Sequence, residues 1–141
     1  MGYTVAPESI TKEIRKAHQF ITFSVNTPVQ YALAEYLTDP TSYETLGNFY
    51  QKKRDFFLEQ IKGSSFEPIH CSGSYFQLVS YKNLTDKSEV DLAEELTQKY
   101  KVAAIPVSVF YKRKLNQQLL RFCFAKKEET LEKAGAILRT I

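Results

Sequence analysis

The chain has 141 residues, enough for one domain with a real core. Apolar residues make up 43% and charged residues 25%, the balance of a globular protein rather than a disordered or membrane-spanning one. Its net charge of +3, from 19 basic against 16 acidic residues, is too small an excess to predict a nucleic-acid or anionic-membrane partner.

Residues 7–21, PESITKEIRKAHQFI, place Ile10, Ile14, Ala17 and Ile21 at helical spacing, with Pro7 and Glu8 suited to a first turn. FSVN (23–26) interrupts that pattern. A second helix starts at Thr27-Pro28 with Thr27 as N-cap and turns Val29, Leu33, Tyr36 and Leu37 inward. It stops near Asp39-Pro40, because the residue before a proline disfavours helix. Thr41 or Ser42 caps a longer helix running to Ile61, with Leu46, Tyr50, Phe57 and Ile61 on one stripe and Gly63 as a left-handed stop. FEPIHC (66–71) and YFQLVSY (75–81) read as a hairpin around Ser72-Gly73. SEVDLAEELTQKYK (88–101) is a helix with a Ser88/Asp91 capping box and with Val90, Ala93, Leu96 and Tyr100 facing in. VAAIPVSVFY (102–111) is extended, with an edge, bulge or bend at Pro106, since proline cannot donate to a ladder. KRKLNQQ is a polar turn, LLRFCFA (119–125) the last strand, and KKEETLEKAGAILRTI the last helix, with Leu131, Ala134 and Leu138 inward. The order after residue 65 is therefore β-β-α-β-β-α, and the fold class is α+β: a small β-sheet covered by helices.

Few residues offer chemistry. Cys71 and Cys123 lie far apart in apolar runs and read as reduced core thiols of a cytoplasmic protein. The opening residues do not read as a signal peptide, and no apolar run approaches the ~20 residues that cross a bilayer. His18 has no nucleophile around it, and His70 cannot pair with Cys71 if adjacent strand residues face opposite ways. Lys112, Arg113 and Lys114 read as a solvated turn, and the aromatics of YFQLVSY and RFCFA as core rather than as stacking platforms for RNA bases. Arg121 stands out. It shares one strand face with Leu119 and Cys123, opposite Leu120, Phe122 and Phe124. A charge there needs water, a carboxylate of the protein or a ligand anion, and guanidinium matches a carboxylate with two parallel N–H bonds.

Six blocks carry a resemblance over essentially the whole chain. They are GYTVAP, EIRKAHQFITFSVNTPVQYALAEYL, FYQKKRDFFLEQI, GSYFQLVSY, VAAIPVSVFY and LLRFCFAKKEETL. Together they resemble the C-terminal part of pyridoxal-phosphate (PLP) dependent aminotransferases of the aspartate-aminotransferase fold. The likeness is to the methionine aminotransferase group, related to kynurenine–oxoglutarate transaminases. The resemblance implies transfer of the amino group of methionine or an aromatic amino acid to a 2-oxo acid, with PLP as electron sink and the protein supplying orientation. It assigns Arg121, in the R-x-x-F-A block, to the substrate α-carboxylate. Phe23 in FSVNTP would line the substrate side-chain pocket of the partner subunit of a homodimer, with Asn26 nearby. Val107 departs from the glycine that many relatives carry there.

The family's Schiff-base lysine belongs to a stretch upstream of GYTVAP and has no counterpart among the fourteen lysines. The expectation is therefore a fragment with no catalytic, cofactor-binding or metal-binding residue of its own, inactive and without PLP when alone. Residues 1–40 would be connecting helices that dock on an absent large domain, and 41–141 the C-terminal small domain. Apolar residues beyond the inward stripe of the first helix suggest self-association of such a piece. The other open reading is a free-standing amino-acid-binding or regulatory domain that uses Arg121 without catalysis.

Overall fold

A computed structural model describes residues 2–141, and their contacts form two compact units divided in sequence between Thr45 and Leu46. The first unit holds helices α1 (Glu8–Ile21), α2 (Thr27–Tyr36) and the single turn α3 (Thr41–Glu44). Asn26, not Thr27, caps α2: its side-chain oxygen accepts the Val29 N–H at 3.2 Å, and Pro28 follows within the first turn. An asparagine before Thr-Pro satisfies an orphan N–H that the threonine, already inside the helix, cannot reach. Phe23 has φ of +63° and its N–H returns to the His18 carbonyl, so the link between α1 and α2 is a tight left-handed turn. None of the described residues of this unit is buried, including Ile10, Ile14, Val29 and Leu33, which the periodicity turns inward. Helices this short carry apolar faces but enclose no core among themselves.

The second unit begins with α4 (Leu46–Ile61). The single helix expected from residue 41 is broken at Thr45, whose N–H bonds back to Tyr43. Gly63, at φ +80°, ends α4 in the left-handed conformation that glycine adopts without a Cβ penalty. Strands β1 (Glu67–Pro68) and β2 (Phe76–Ser80) form the hairpin, although β1 is shorter than its sequence pattern. Helix α5 (Glu89–Gln98) follows, then β3 (Ile105–Pro106), a 3-10 turn at Ser108–Phe110, β4 (Leu119–Cys123) and α6 (Glu128–Leu138). The sheet is antiparallel throughout, in the order β1-β2-β4-β3. β4 is therefore flanked on both sides, with Leu78 and Ile105 opposite Arg121. Pro106 lies on the edge strand as its missing N–H requires, but the extended segment ends there rather than at Tyr111.

One face of the sheet (Gln77, Val79, Leu120, Phe122) joins the core with Phe57 and Ile61 of α4, Ala93 and Leu96 of α5, and Leu131 and Leu138 of α6. The buried side of α5 runs through Glu89, Leu92, Ala93 and Leu96: Ala93 and Leu96 face in as expected, Glu89 and Leu92 join them, and Val90 is exposed. Ser88 caps α5 as expected, accepting the Asp91 N–H and donating to its carboxylate at 2.6 Å. Where α4 meets α6, Gly135 is buried against Gln60, and Arg139 donates to the Gln60 carbonyl.

Two consequences are measurable. A Cβ at Gly135 would lie 2.5 Å from Gln60 Cβ and 2.7 Å from its carbonyl oxygen. Gly135→Ala gains up to ~1 kcal/mol in helix propensity but incurs ~1–3 kcal/mol of overpacking against backbone, so denaturant unfolding should show net destabilisation. Tyr81 is fully buried; its hydroxyl donates to the Lys87 carbonyl at 2.9 Å and contacts the Asn116 side-chain oxygen at 3.2 Å. Burial, reinforced by the nearby Glu89 and Asp91, pushes its pKa up to about 12. A phenol raised on folding stabilises fully below pH ~10 and loses that contribution as the pH climbs towards 12, up to about 2–3 kcal/mol. Tyr81→Phe should remove that part of the alkaline stability loss in melts between pH 9 and 12.

Candidate functional site

The strand alternation that sends Leu120 and Phe122 into the core turns Arg121 to the other face, where it is half-buried. Its guanidinium carbon lies 4.1 Å from the centre of the Phe76 ring and 5.0 Å from that of Phe110. Phe76 comes from β2 on one side of β4; Phe110 comes from the 3-10 turn that follows β3 on the other. Guanidinium is attracted to aromatic faces within ~6 Å. Nε is buried with no hydrogen-bond partner, and Arg121 enters no ion pair among the described residues. Of the three destinations open in the sequence, a carboxylate of this chain is thereby removed.

Arg121 also lines a cleft of about 450 Å³ whose walls include Phe57, Val102, Ile105, Phe122 and Ile137. Its other charged residues are Lys101, Lys126 and Lys133, and no acidic side chain lines it among the described residues. Such a cleft suits a small anion with an apolar body.

What holds the arginine's surroundings is Glu89, which the sequence presents only as an acidic residue in a helix first turn. It is buried at 1% exposure. One oxygen accepts the N–H groups of Gln117 at 3.0 Å and Leu119 at 3.1 Å; the other accepts that of Ser108. A single side chain thus ties the turn that carries Phe110 to the start of the strand that carries Arg121. The available signal was weak: an acid just after a serine cap also fits a solvated dipole partner.

The remaining candidates fall elsewhere. Phe23 and Asn26 belong to the first unit, where Phe23 is 85% exposed and the Asn26 oxygen is used as a helix cap. His70 Nε2 contacts Ser72 Oγ at 2.9 Å, while the Cys71 thiol donates to the Gly73 carbonyl, so the two form no pair. Lys112, Arg113 and Lys114 are exposed. No helix of the described residues is long and apolar enough to cross a membrane.

An antiparallel sheet under helices agrees with what the chain is similar to. The chain belongs to the family of class I and II aminotransferases, whose model matches residues 1–138. It is 46% identical to the methionine aminotransferase of Escherichia coli over all of this chain and 37% of that protein. It is 31% identical to the kynurenine–oxoglutarate transaminase of Dictyostelium discoideum over 95% of this chain and 36% of that one. A crystal structure of an Escherichia coli protein with a methionine aminotransferase function superposes with a TM-score of 0.87, covering 97% of this chain and 36% of the other. The chain thus spans little more than a third of the length of the curated relatives it matches.

PLP dependence is a property of the intact family. The residues present here do not fit that cofactor. A Schiff-base lysine sits in an enclosed site that favours its neutral amine. Thirteen of the fourteen lysines are exposed, and the half-buried Lys53 donates to the Lys126 carbonyl at 2.7 Å.

Glu89→Gln puts an amide nitrogen where an oxygen accepts, leaving at least one buried backbone N–H facing a donor. The expected loss is about 2–3 kcal/mol by denaturant titration, with faster amide hydrogen exchange at Ser108, Gln117 and Leu119.

Proposed function

We propose that this chain is the substrate-carboxylate-holding, C-terminal part of an aminotransferase that moves the amino group of methionine or an aromatic amino acid to a 2-oxo acid. The observation that carries the reading is Arg121: a half-buried guanidinium, backed by aromatic rings and unpaired with any carboxylate of the described residues, beside a largely apolar cleft. Two N–H groups of that arginine would grip the two oxygens of an α-carboxylate and orient the amino acid. The apolar surroundings favour a thioether or aromatic side chain over an acidic one.

Residues 1–40 are read as connecting helices. Their strongly exposed apolar residues, among them Phe20, Ile21 and Tyr31, are the contact surface for the large domain that a full-length relative supplies. In this piece alone the same surface drives self-association. Phe23, presented outward from its left-handed turn, would line the substrate pocket of the partner subunit in the intact homodimer, with Asn26 holding the helix behind it. Amino-group chemistry then needs PLP and a lysine from outside this chain, so the chain alone is inactive.

The test joins the chain to the sequence preceding it in frame and measures amino transfer from methionine and phenylalanine. Arg121→Lys should raise KM for the amino donor about 30- to 100-fold, the loss of one bidentate charge-assisted pair. The 141-residue chain, mixed with PLP and borohydride, should show no stoichiometric adduct on any single lysine by mass spectrometry. One fully modified lysine would overturn the assignment of the chemistry to an absent part.

A further inference from the structure

The geometry points to Phe110 as a positioning residue: with Phe76 it clamps the Arg121 guanidinium so that a carboxylate docks end-on, across the two Nη nitrogens. This inference rests on the reading of Arg121 as the carboxylate holder and adds how that arginine is aimed.

A guanidinium offers a carboxylate two bidentate edges, one across Nε and an Nη, the other across both Nη atoms. In this chain Nε is buried without a partner, whereas neither Nη shares that condition and none of the described residues bonds to them. The side edge is closed and the end edge open. The rings decide whether that edge keeps a fixed direction. Phe76 lies on the β2 side of β4 and Phe110 on the β3 side, so the rings bracket the guanidinium from the two flanks of its strand. Phe76 is half-buried and braced by Tyr75 at 4.2 Å between ring centres. Phe110 is 62% exposed, so its ring contributes little to the core. Its backbone is nevertheless pinned, because the first residue of its 3-10 turn, Ser108, donates to buried Glu89. A rigid backbone under a mostly exposed ring, with that ring set against a cation, is the arrangement of a positioning side chain.

The experiment uses the 141-residue chain and heteronuclear NMR. The probe ligand is 3-phenylpropionate, a carboxylate with an apolar body. In the wild-type chain the Arg121 Nε–H resonance should be visible and shifted upfield by the two rings. Phe110→Ala should move it downfield and weaken probe binding about two- to fivefold, the magnitude of one exposed cation–π contact, while lowering the melting midpoint by about a few degrees at most. Phe110→Tyr should restore both shift and affinity, which a merely structural role would not require. Arg121→Gln should abolish binding. If Arg121→Gln abolishes binding while Phe110→Ala changes neither shift nor affinity, the clamp is overturned and the carboxylate reading stands. Unchanged binding in Arg121→Gln overturns the carboxylate reading and the clamp with it; no binding by the wild-type chain overturns the clamp, which requires an arginine already aimed within this chain.

Discussion

The second unit depends on where one buried carboxyl group puts its two oxygens. Glu89 stands at the first position of α5 and receives backbone N–H groups from residues 108, 117 and 119. Those N–H groups belong to a 3-10 turn, to the segment before β4 and to Leu119, the first residue of β4. Leaving them bare in a closed interior costs about 1–3 kcal/mol each, and leaving the carboxyl group bare costs more. Each side of the contact therefore requires the other, and the α5 N-terminus, the turn and the strand are located together. Neighbouring bonds extend the tie: Tyr81 reaches Lys87 and Asn116, and Gln118 reaches Thr85.

From that constraint the two faces of the sheet acquire different work. The face with Val79, Leu120 and Phe122 closes the core, helped by Phe57 and Phe66 packing on Phe122 at ring separations of 5.9 and 6.1 Å. The other face keeps Phe76, Arg121 and Cys123 half-buried. The Arg121 cation on that face lies against two aromatic rings and is partly desolvated without being enclosed. In that intermediate state a guanidinium pairs with an anion more strongly than at full exposure.

The first unit follows another logic. Its helices have ordinary local signals, an asparagine cap and a tight turn at Phe23, yet none of their apolar side chains is fully buried. Secondary structure here is defined by short-range chemistry, and large apolar side chains such as Phe20, Ile21 and Tyr31 stay exposed. The chain spans 36–37% of the length of the relatives it matches.

Short-range patterning is what the sequence by itself determined. Helix positions, the Ser88 cap, the Gly63 stop, the hairpin, the edge placement of Pro106 and the face that Arg121 shares with Cys123 all follow from spacing or backbone chemistry within a few residues. The α+β class follows from their order, and the six blocks carry the family. Other features needed chain segments far apart in sequence to meet. Burial of Glu89 and Leu92 beside Ala93 and Leu96, with Val90 left out, reflects packing that periodicity does not encode. Phe110 reaches Arg121 across the sheet, and Gly135 matters only because Gln60 lies against it. Glu89 is the clearest case: an acid after a serine cap fits a solvated helix end, and only the folded chain brings 108, 117 and 119 to it. Hydrogen bonds between distant segments leave no period in a sequence, so the residue that organises this site became visible only in three dimensions.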